Sequence, residues 1–181
     1  NDQLITDFPS DFYTTDAFTD SAIEAIHAAD RTKKPFFIHL TYTAPHYPIQ
    51  AKPEDIAKYR GKFKEGWDEM RKTRFKRQQD MGLADESWKL SKGDSRAYDW
   101  ANSDQDFEDH RMAVYAAMID SVDQNIGRLL ETLSKTGHDE DTLILFLSDN
   151  GGCAEEPGGR DPVKRNPGPG DDYVAVGPAW G

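Results

Sequence analysis

A run of six strand-forming residues at 143–148, reading LILFLS, constrains this chain more than any other feature of its sequence. A near-continuous apolar run of this length is typical of a strand that is buried on both faces of a parallel sheet. A helical pattern over 109–135 precedes it, and Gly137 supplies the stop because glycine takes positive φ at little cost. A second predicted strand, FFIHLT at 36–41, follows a predicted helix at 16–29. This alternation predicts an α/β fold with a right-handed parallel crossover.

Each of the two predicted helices carries an apolar stripe. Thr15 or Asp16 is the expected N-cap of the first helix, because their side-chain oxygens can accept backbone N–H groups of the first turn. The stripes recur at helical spacing and are expected to pack into the core. They consist of Phe18, Ala22, Ile23 and Ile26 on the first helix, and of Tyr115, Met118, Ile119, Val122, Ile126, Leu129, Leu130 and Leu133 on the second.

The overall composition limits the classes of protein that this chain can belong to. Its 181 residues suffice for one domain with its own core, although a mean hydropathy of -0.80 indicates long exposed loops or missing structure. The net charge of -11 argues against nucleic acid as a partner, since phosphates are bound by clustered Lys and Arg. No apolar run approaches the roughly 20 residues that span a bilayer. A single cysteine, Cys153, excludes an internal disulfide and a cysteine-based zinc site.

Polar residues follow both predicted strands at the point where each strand ends. His46 lies after the first strand, within YTAPHYP, and Asp149 and Asn150 directly follow the second. In open α/β sheets, ligands bind beyond the carboxyl ends of the strands. A carboxylate and an amide oxygen are hard donors that suit calcium or magnesium and suit zinc poorly. Two ligands are too few for a calcium ion, which takes about six to eight oxygens, so the others must come from elsewhere.

Each candidate residue also has a purely structural interpretation. Residues 149–152, Asp-Asn-Gly-Gly, form a typical turn sequence, and these four letters alone favour a turn. His46 is equally consistent with a proline-flanked surface histidine. His39 lies inside the first predicted strand and is expected to be a packed core residue. Cys153 has neither a neighbouring base nor any feature that would lower its pKa, so a nucleophilic role is not predicted.

Two further segments depart from the alternation of helix and strand. Residues 58–77 are rich in Lys and Arg with aromatic residues between them, which is compatible with an anion-binding surface. Acids at helical i,i+4 distances favour a solvated helical face instead. After Asn150 the chain becomes dense in Pro and Gly, and no regular secondary structure is expected there.

Five stretches occur in the order found in one known family: PFFIHLTYTAPHYPIQA, YRGKFKEGWDEMR, RMAVYAAMIDSVDQNIGRLLETL, TLILFLSDNGG and VGPAWG. From about Asp11 to its last residue, the chain resembles the middle of a bacterial arylsulfatase of the formylglycine-dependent sulfatase family. The resemblance implies an α/β fold, here an incomplete part of an alkaline-phosphatase-like sulfatase sheet flanked by helices. It makes residues 1–181 the central part of the N-terminal catalytic domain. Within it, 52–110 is a helical and loop insertion, and 151–181 is a Pro/Gly-rich active-site loop.

The same resemblance implies a chemistry for the candidate residues. It makes Asp149 and Asn150 ligands of one calcium ion and His46 a sulfate-binding residue, whereas Asp120 and Asp123 have structural roles. The implied reaction is hydrolysis of a sulfate ester on a sulfated small molecule or glycan. Two alternatives stay open: a phosphate or phosphonate monoester hydrolase of the same superfamily, and a non-catalytic interaction module that uses residues 58–77.

The chain also departs from the family pattern. The family nucleophile is a formylglycine made in a Cys-x-Pro-x-Arg or Cys-x-Ala-x-Arg setting, whereas Cys153 stands in CAEEP and does not match. The nucleophile, the family's Asp-Asp metal pair and its lysines are therefore expected outside this chain, and Asp171-Asp172 is not that pair. We expect an internal fragment that is inactive alone, from a protein that the family leads us to place in the periplasm or outside the cell.

Overall fold

Helices account for all the regular secondary structure in the part of the chain that the structure describes. The computed structural model describes residues 6–97, 99–152 and 177–180. The helices are α1 (Thr14–Thr32), α2 (Pro53–Ala57), α3 (Trp67–Asp80), α4 (Gln105–Thr136) and α5 (Gly177–Trp180), with a 3-10 helix at Trp100–Asn102. None of the helices in these ranges has the length and apolar content that crossing a membrane requires.

The chain divides into two compact units. The first unit comprises Asn1–Ala44 and Ile119–Leu147, and the second unit comprises Pro45–Met118 and Ser148–Gly181. The residues of the candidate site, His46, Asp149 and Asn150, all belong to the second unit.

Helix α1 confirms the first predicted helix, but its predicted N-cap is wrong. The helix begins at Thr14, and the N-cap is Tyr13, whose side chain makes no capping hydrogen bond. Thr15 and Asp16 therefore lie within the first turn. In the first unit, Asp16 instead accepts a hydrogen bond from the side-chain amide of Asn125 at 2.8 Å. This bond joins α1 to the part of α4 that belongs to the same unit.

Helix α4 confirms the second predicted helix and begins four residues before the predicted start at 109. Its end is as predicted: Gly137 has φ +73°, and the His138 N–H donates to the Leu133 carbonyl at 2.9 Å. Such a bond across a left-handed glycine satisfies a carbonyl that the last helical turn would otherwise leave unpaired.

The buried face of α4 differs from the predicted stripe. Ile119 and Leu130 are exposed, whereas Met118 and Leu133 are buried as expected. The remaining buried positions are small or polar: Glu108, Asp109, Arg111, Ala113, Ala117, Ser121, Asn125 and Thr132, together with Val114. A search for apolar residues at helical spacing cannot reveal a buried face that consists mostly of small and polar residues.

The two predicted strands, at 36–41 and 143–148, are not formed among the described residues. Phe37 is 92% exposed, and every residue of Leu143–Leu147 is exposed. A strand is stable only when a neighbouring strand pairs with its backbone and another layer covers its faces, and the described residues supply no such neighbour. The prediction that His39 is a packed core residue is wrong for the same reason, because its side chain is exposed.

The range 52–110 contains helices α2 and α3, the 3-10 helix and loops; its assignment as an insertion stays a prediction. Most charged side chains of α3 are exposed, and two lysines pair along the helix, Lys72 with Glu69 at 2.6 Å and Lys76 with Asp80 at 2.9 Å. This arrangement fits the solvated helical face.

The prediction that 151–181 lacks regular structure is wrong at Gly177–Trp180, which form the single turn of α5. A proline is tolerated in the first turn of a helix, because its missing N–H would have no helical partner there. The rest of the proposed Pro/Gly-rich loop, from Cys153 through Asp171-Asp172 to 176, lies outside the described residues.

Candidate functional site

His46 lies in an exposed bend, as expected for the loop after the first apolar run. Its Nδ1 is 2.6 Å from the carbonyl oxygen of Tyr47. A carbonyl can only accept, so Nδ1 carries the proton, and Nε2 is the ring nitrogen left for a ligand. Ile49 and Ala51, buried immediately after the bend, anchor this loop to the second unit. The His46 side chain is thus exposed, whereas the residues that directly follow its loop are buried in the second unit.

Asp149 and Asn150 form a second exposed bend. The Ser148 hydroxyl donates to the Asn150 carbonyl at 2.7 Å, and the Asn150 side-chain nitrogen donates to the Gly151 carbonyl at 2.8 Å. These bonds are the local turn chemistry that the Asp-Asn-Gly-Gly sequence indicates. Because the amide nitrogen is used in the turn, the oxygen of the same side chain is left for a cation. Turn formation and metal ligation are therefore compatible at this position.

The donor set suits a hard cation but is incomplete. Asp149 offers a carboxylate and Asn150 an amide oxygen, which are the ligand types that calcium prefers. Among residues 6–97, 99–152 and 177–180, no group of three or more His, Cys, Asp or Glu side chains is placed to hold a metal. The two bends belong to one compact unit, and Asp149 and Asn150, the predicted ligands, would supply two of the six to eight or so oxygens that calcium takes.

The best-defined polar site of the second unit was not predicted from the sequence. The Asp109 carboxylate is fully buried on α4 and accepts the backbone N–H groups of Gly61, at 2.8 Å, and Phe63, at 3.0 Å. The Arg60 guanidinium lies 3.1 Å from the same carboxylate. A buried charge is stable only when it is paired and hydrogen-bonded, and Asp109 meets both conditions. It fixes the loop at 60–63, in which Gly61 has φ +82°.

Asp106, three residues before Asp109 on α4, contacts the same part of the chain, but at the surface. Lys64 donates to its carboxylate at 2.9 Å, and both side chains are exposed to solvent. The hydrogen bond from Lys64 and the charge of that lysine hold the pKa of Asp106 below its ordinary value, and the same contact raises the pKa of Lys64. Solvent screens this pair, so it contributes far less to the loop than Asp109 does.

Glu108, which directly precedes Asp109 on α4, contacts a different segment, helix α5. It is 2% exposed, and its Oε2 accepts the indole N–H of Trp180 at 2.9 Å and the Nε–H of Arg111 at 3.3 Å. The Trp180 ring packs edge-to-face against the rings of Trp67, Trp100 and Phe63, with centroids 5.6, 6.0 and 6.1 Å away. These four rings are called the aromatic cluster below. Glu108 and the cluster together hold α5.

One sequence signal for these two buried acids was present. Asp109 lies four residues before Ala113, about one helical turn, and Arg111 follows Glu108 by three residues. Acids that continue an apolar face indicate burial with partners. Their partners Gly61 and Trp180 lie 48 and 72 residues away along the chain, so no local sequence pattern indicates these contacts.

Comparison with known proteins gives a consistent result. The chain matches the Sulfatase family model over residues 2–174. It is 36% identical over 144 residues to an uncharacterized sulfatase of Schizosaccharomyces pombe, covering 77% of this chain and 26% of that protein. It is 36% identical over 145 residues to an arylsulfatase of Klebsiella aerogenes, covering 79% of this chain and 31% of that protein.

A more distant relative is a multifunctional alkaline phosphatase superfamily protein of Trinickia caryophylli. The identity is 27% over 163 residues, which cover 79% of this chain and 28% of that protein. In these three relatives the chain spans between 26% and 31% of the length.

Proposed function

Because the chain belongs to the sulfatase family, we propose that the full-length protein hydrolyses sulfate esters, using Asp149 and Asn150 as ligands of a calcium ion and His46 to bind the sulfate group. The family match confirms the predicted α/β, alkaline-phosphatase-like fold class, to which the described residues contribute helices. The observation that carries the proposal is the match over 2–174, which includes all three candidate residues and comes with 36% identity to an arylsulfatase.

The roles of the residues follow from their chemistry. When bound, the calcium ion would neutralise the negative charge of the sulfate oxygens. Asp149 supplies the anionic ligand, and Asn150 presents its side-chain oxygen because its nitrogen is held by Gly151. The Nδ1–H of His46 is held by the Tyr47 carbonyl, so Nε2 is the ring nitrogen available to the sulfate group. The formylglycine nucleophile is expected outside this chain.

Calcium titration of the full-length protein tests the metal assignment. Asp149→Ala removes the charged ligand and should weaken calcium binding by at least on the order of tenfold, because each carboxylate adds charge to the shell. Asp141→Ala is the matched control, since Asp141 is an exposed acid eight residues earlier. Equal calcium affinity for wild type and Asp149→Ala in calorimetry would refute the assignment.

Turnover measurements test the assignment of His46. His46→Ala should lower the rate of aryl sulfate hydrolysis by on the order of 10²-fold, because a donor to the reacting group is lost. The melting temperature should change little, because the side chain is exposed. His39→Ala, at another exposed histidine, serves as the control. A variant with normal turnover and a large loss of stability would identify His46 as a structural residue.

A second candidate function is hydrolysis of phosphate or phosphonate monoesters, which the match to the alkaline phosphatase superfamily protein favours. Tetrahedral oxyanions of both kinds are bound by similar cations and donors. The ratio of kcat/KM for an aryl sulfate to that for the matching aryl phosphate distinguishes the two candidates. A ratio above one is expected for a sulfatase.

A further inference from the structure

Three arginines of helix α3, Arg71, Arg74 and Arg77, follow one another at intervals of three residues. Side chains three residues apart on a helix are neighbours, so these three leave α3 in one row, called the arginine row below. Arg74 and Arg77 are exposed, and Arg71 is half-buried. We propose that the arginine row is a binding surface for a sulfated glycan chain. The choice of a sulfated chain over other polyanions rests on the function proposed above.

The arginine row differs from the other basic side chains of residues 58–77, all of which the structure describes. This stretch contains nine Lys and Arg residues, and five of them form ion pairs with acids: Lys58, Arg60, Lys64, Lys72 and Lys76. Lys62 lies over the Tyr59 ring, 4.8 Å from its centroid. The remaining three are the arginine row, so the uncompensated positive charge of the stretch lies mainly on α3.

The acids nearest to the row along α3 do not neutralise it. Asp80 follows Arg77 by three residues, but its Oδ1 lies 2.9 Å from the Nζ of Lys76. Asp68 precedes Arg71 by three residues, and these two side chains form no ion pair with any described residue. Like charges one turn apart repel each other and destabilise a helix. A polyanion bound along the row would remove this repulsion.

Helix α3 is held in place before any ligand binds. At its start, Trp67 is 3% exposed and belongs to the aromatic cluster. Arg71 donates to the carbonyl and hydroxyl oxygens of Ser91 at 3.2 and 3.0 Å. Near the end of the helix, the Gln79 side chain donates to the Asp85 carbonyl at 3.2 Å. Because the helix is already ordered, a ligand loses little affinity in ordering this surface.

The spacing of the row favours a chain of sulfate groups over a single one. A guanidinium presents paired N–H donors that match two oxygens of a tetrahedral oxyanion, as in its pairing with phosphate. At about 1.5 Å of rise per residue, Arg71 and Arg77 are about 9 Å apart along the helix axis. A polymer with sulfate groups at intervals can contact more than one arginine. Nucleic acid also carries repeated anions, but the sulfatase family match favours sulfate esters.

Binding of heparin, a heavily sulfated glycan, to the full-length protein tests the proposal. The double variant Arg74→Gln with Arg77→Gln removes the two exposed guanidinium groups and keeps helix-forming side chains. Its Kd for heparin should rise by on the order of tenfold, because two charge-assisted contacts are lost. The double variant Lys72→Gln with Lys76→Gln is the matched control. It removes the same charge from the same helix, but from lysines that are already paired, so its Kd should rise less than about threefold.

Four results would overturn the proposal. Equal losses in the two double variants would show that only the overall charge matters. Equal affinity for heparin and desulfated heparin, or tighter binding of single-stranded DNA, would exclude a sulfated chain as the preferred ligand. A lowered melting temperature of the arginine variant with unchanged heparin affinity would identify the two arginines as ion-pair partners within the protein.

Turnover of a small aryl sulfate separates this surface from the proposed function. The arginine variant should hydrolyse the small ester at the rate of the wild type, because neither arginine is a proposed site residue. If the wild type hydrolyses no aryl sulfate, the proposed function fails, and the heparin measurement still decides whether the arginine row binds a sulfated chain.

Discussion

Asp109→Asn is the most informative change for the energetics of the second unit. The carboxylate of Asp109 is fully buried and uses both oxygens: Oδ1 accepts the Phe63 N–H, and Oδ2 accepts the Gly61 N–H and contacts Arg60. Asparagine has the same shape but only one oxygen. Its NH₂ group must therefore face a backbone N–H or the guanidinium, which are all donors.

The expected cost follows from the bonds that are lost. A hydrogen bond to a charged group contributes about 1.5–3 kcal/mol, and breaking a buried ion pair costs about 3–5 kcal/mol. Because asparagine retains one acceptor, we expect a loss of about 2–4 kcal/mol in the local free energy of opening of the 60–63 loop. At about 1.4 kcal/mol per factor of ten, this loss corresponds to an increase in the opening equilibrium of about 30- to 700-fold.

Amide hydrogen exchange at Gly61 and Phe63 measures this loss directly, since it reports local opening without assuming that the full-length protein unfolds in one step. Asp106→Asn is the matched control: it removes a carboxylate from the same helix, but one that is exposed, so exchange at both amides should stay near wild type. A change below about 0.5 kcal/mol in Asp109→Asn, the range of ordinary surface substitutions, would refute this account of the anchor.

Three further predictions concern packing, pH and activity. Gly66→Ala should lower the melting temperature more than Gly61→Ala: both glycines have φ +82°, but a Cβ at Gly66 would lie 2.6 Å from the Trp100 ring, whereas nothing lies within 4 Å of one at Gly61. Hydrogen bonds from Arg96 lower the pKa of Asp94 from 3.8 to about 2. The stabilisation that this contact gives its loop is therefore present above pH 3.8 and is lost as the pH falls towards 2. In an NMR titration, Arg96→Ala should return the pKa of Asp94 towards 3.8. The 181-residue chain expressed alone should release no sulfate from an aryl sulfate with calcium present, because only two of its described residues are proposed calcium ligands and the nucleophile is expected elsewhere.

Local sequence signals predicted the helices well. The apolar periodicity of α1 and α4 and the stop at Gly137 depend on residues within a few positions of one another, and the helices start within two and four residues of their predicted starts. The N-cap was wrong because a shift of two residues is enough to move Thr15 and Asp16 from the cap into the first turn.

Non-local features could not be predicted in the same way. The runs at 36–41 and 143–148 have strand composition, but a strand also requires a partner, and composition does not report whether the partner is present. His46, Asp149 and Asn150 could be proposed as site residues because each stands in a short motif, and their roles stay predictions. Glu108 was missed because its partner, Trp180, is 72 residues away and no local pattern marks the contact.

Sulfate release from a chromogenic aryl sulfate by the full-length protein, with calcium present, tests the proposed function most directly. The wild type should turn over this ester, and Asp149→Ala and His46→Ala should each reduce kcat/KM by on the order of 10²-fold while the protein stays folded. A folded wild-type protein that releases no sulfate, or turnover that survives both substitutions, would contradict the account.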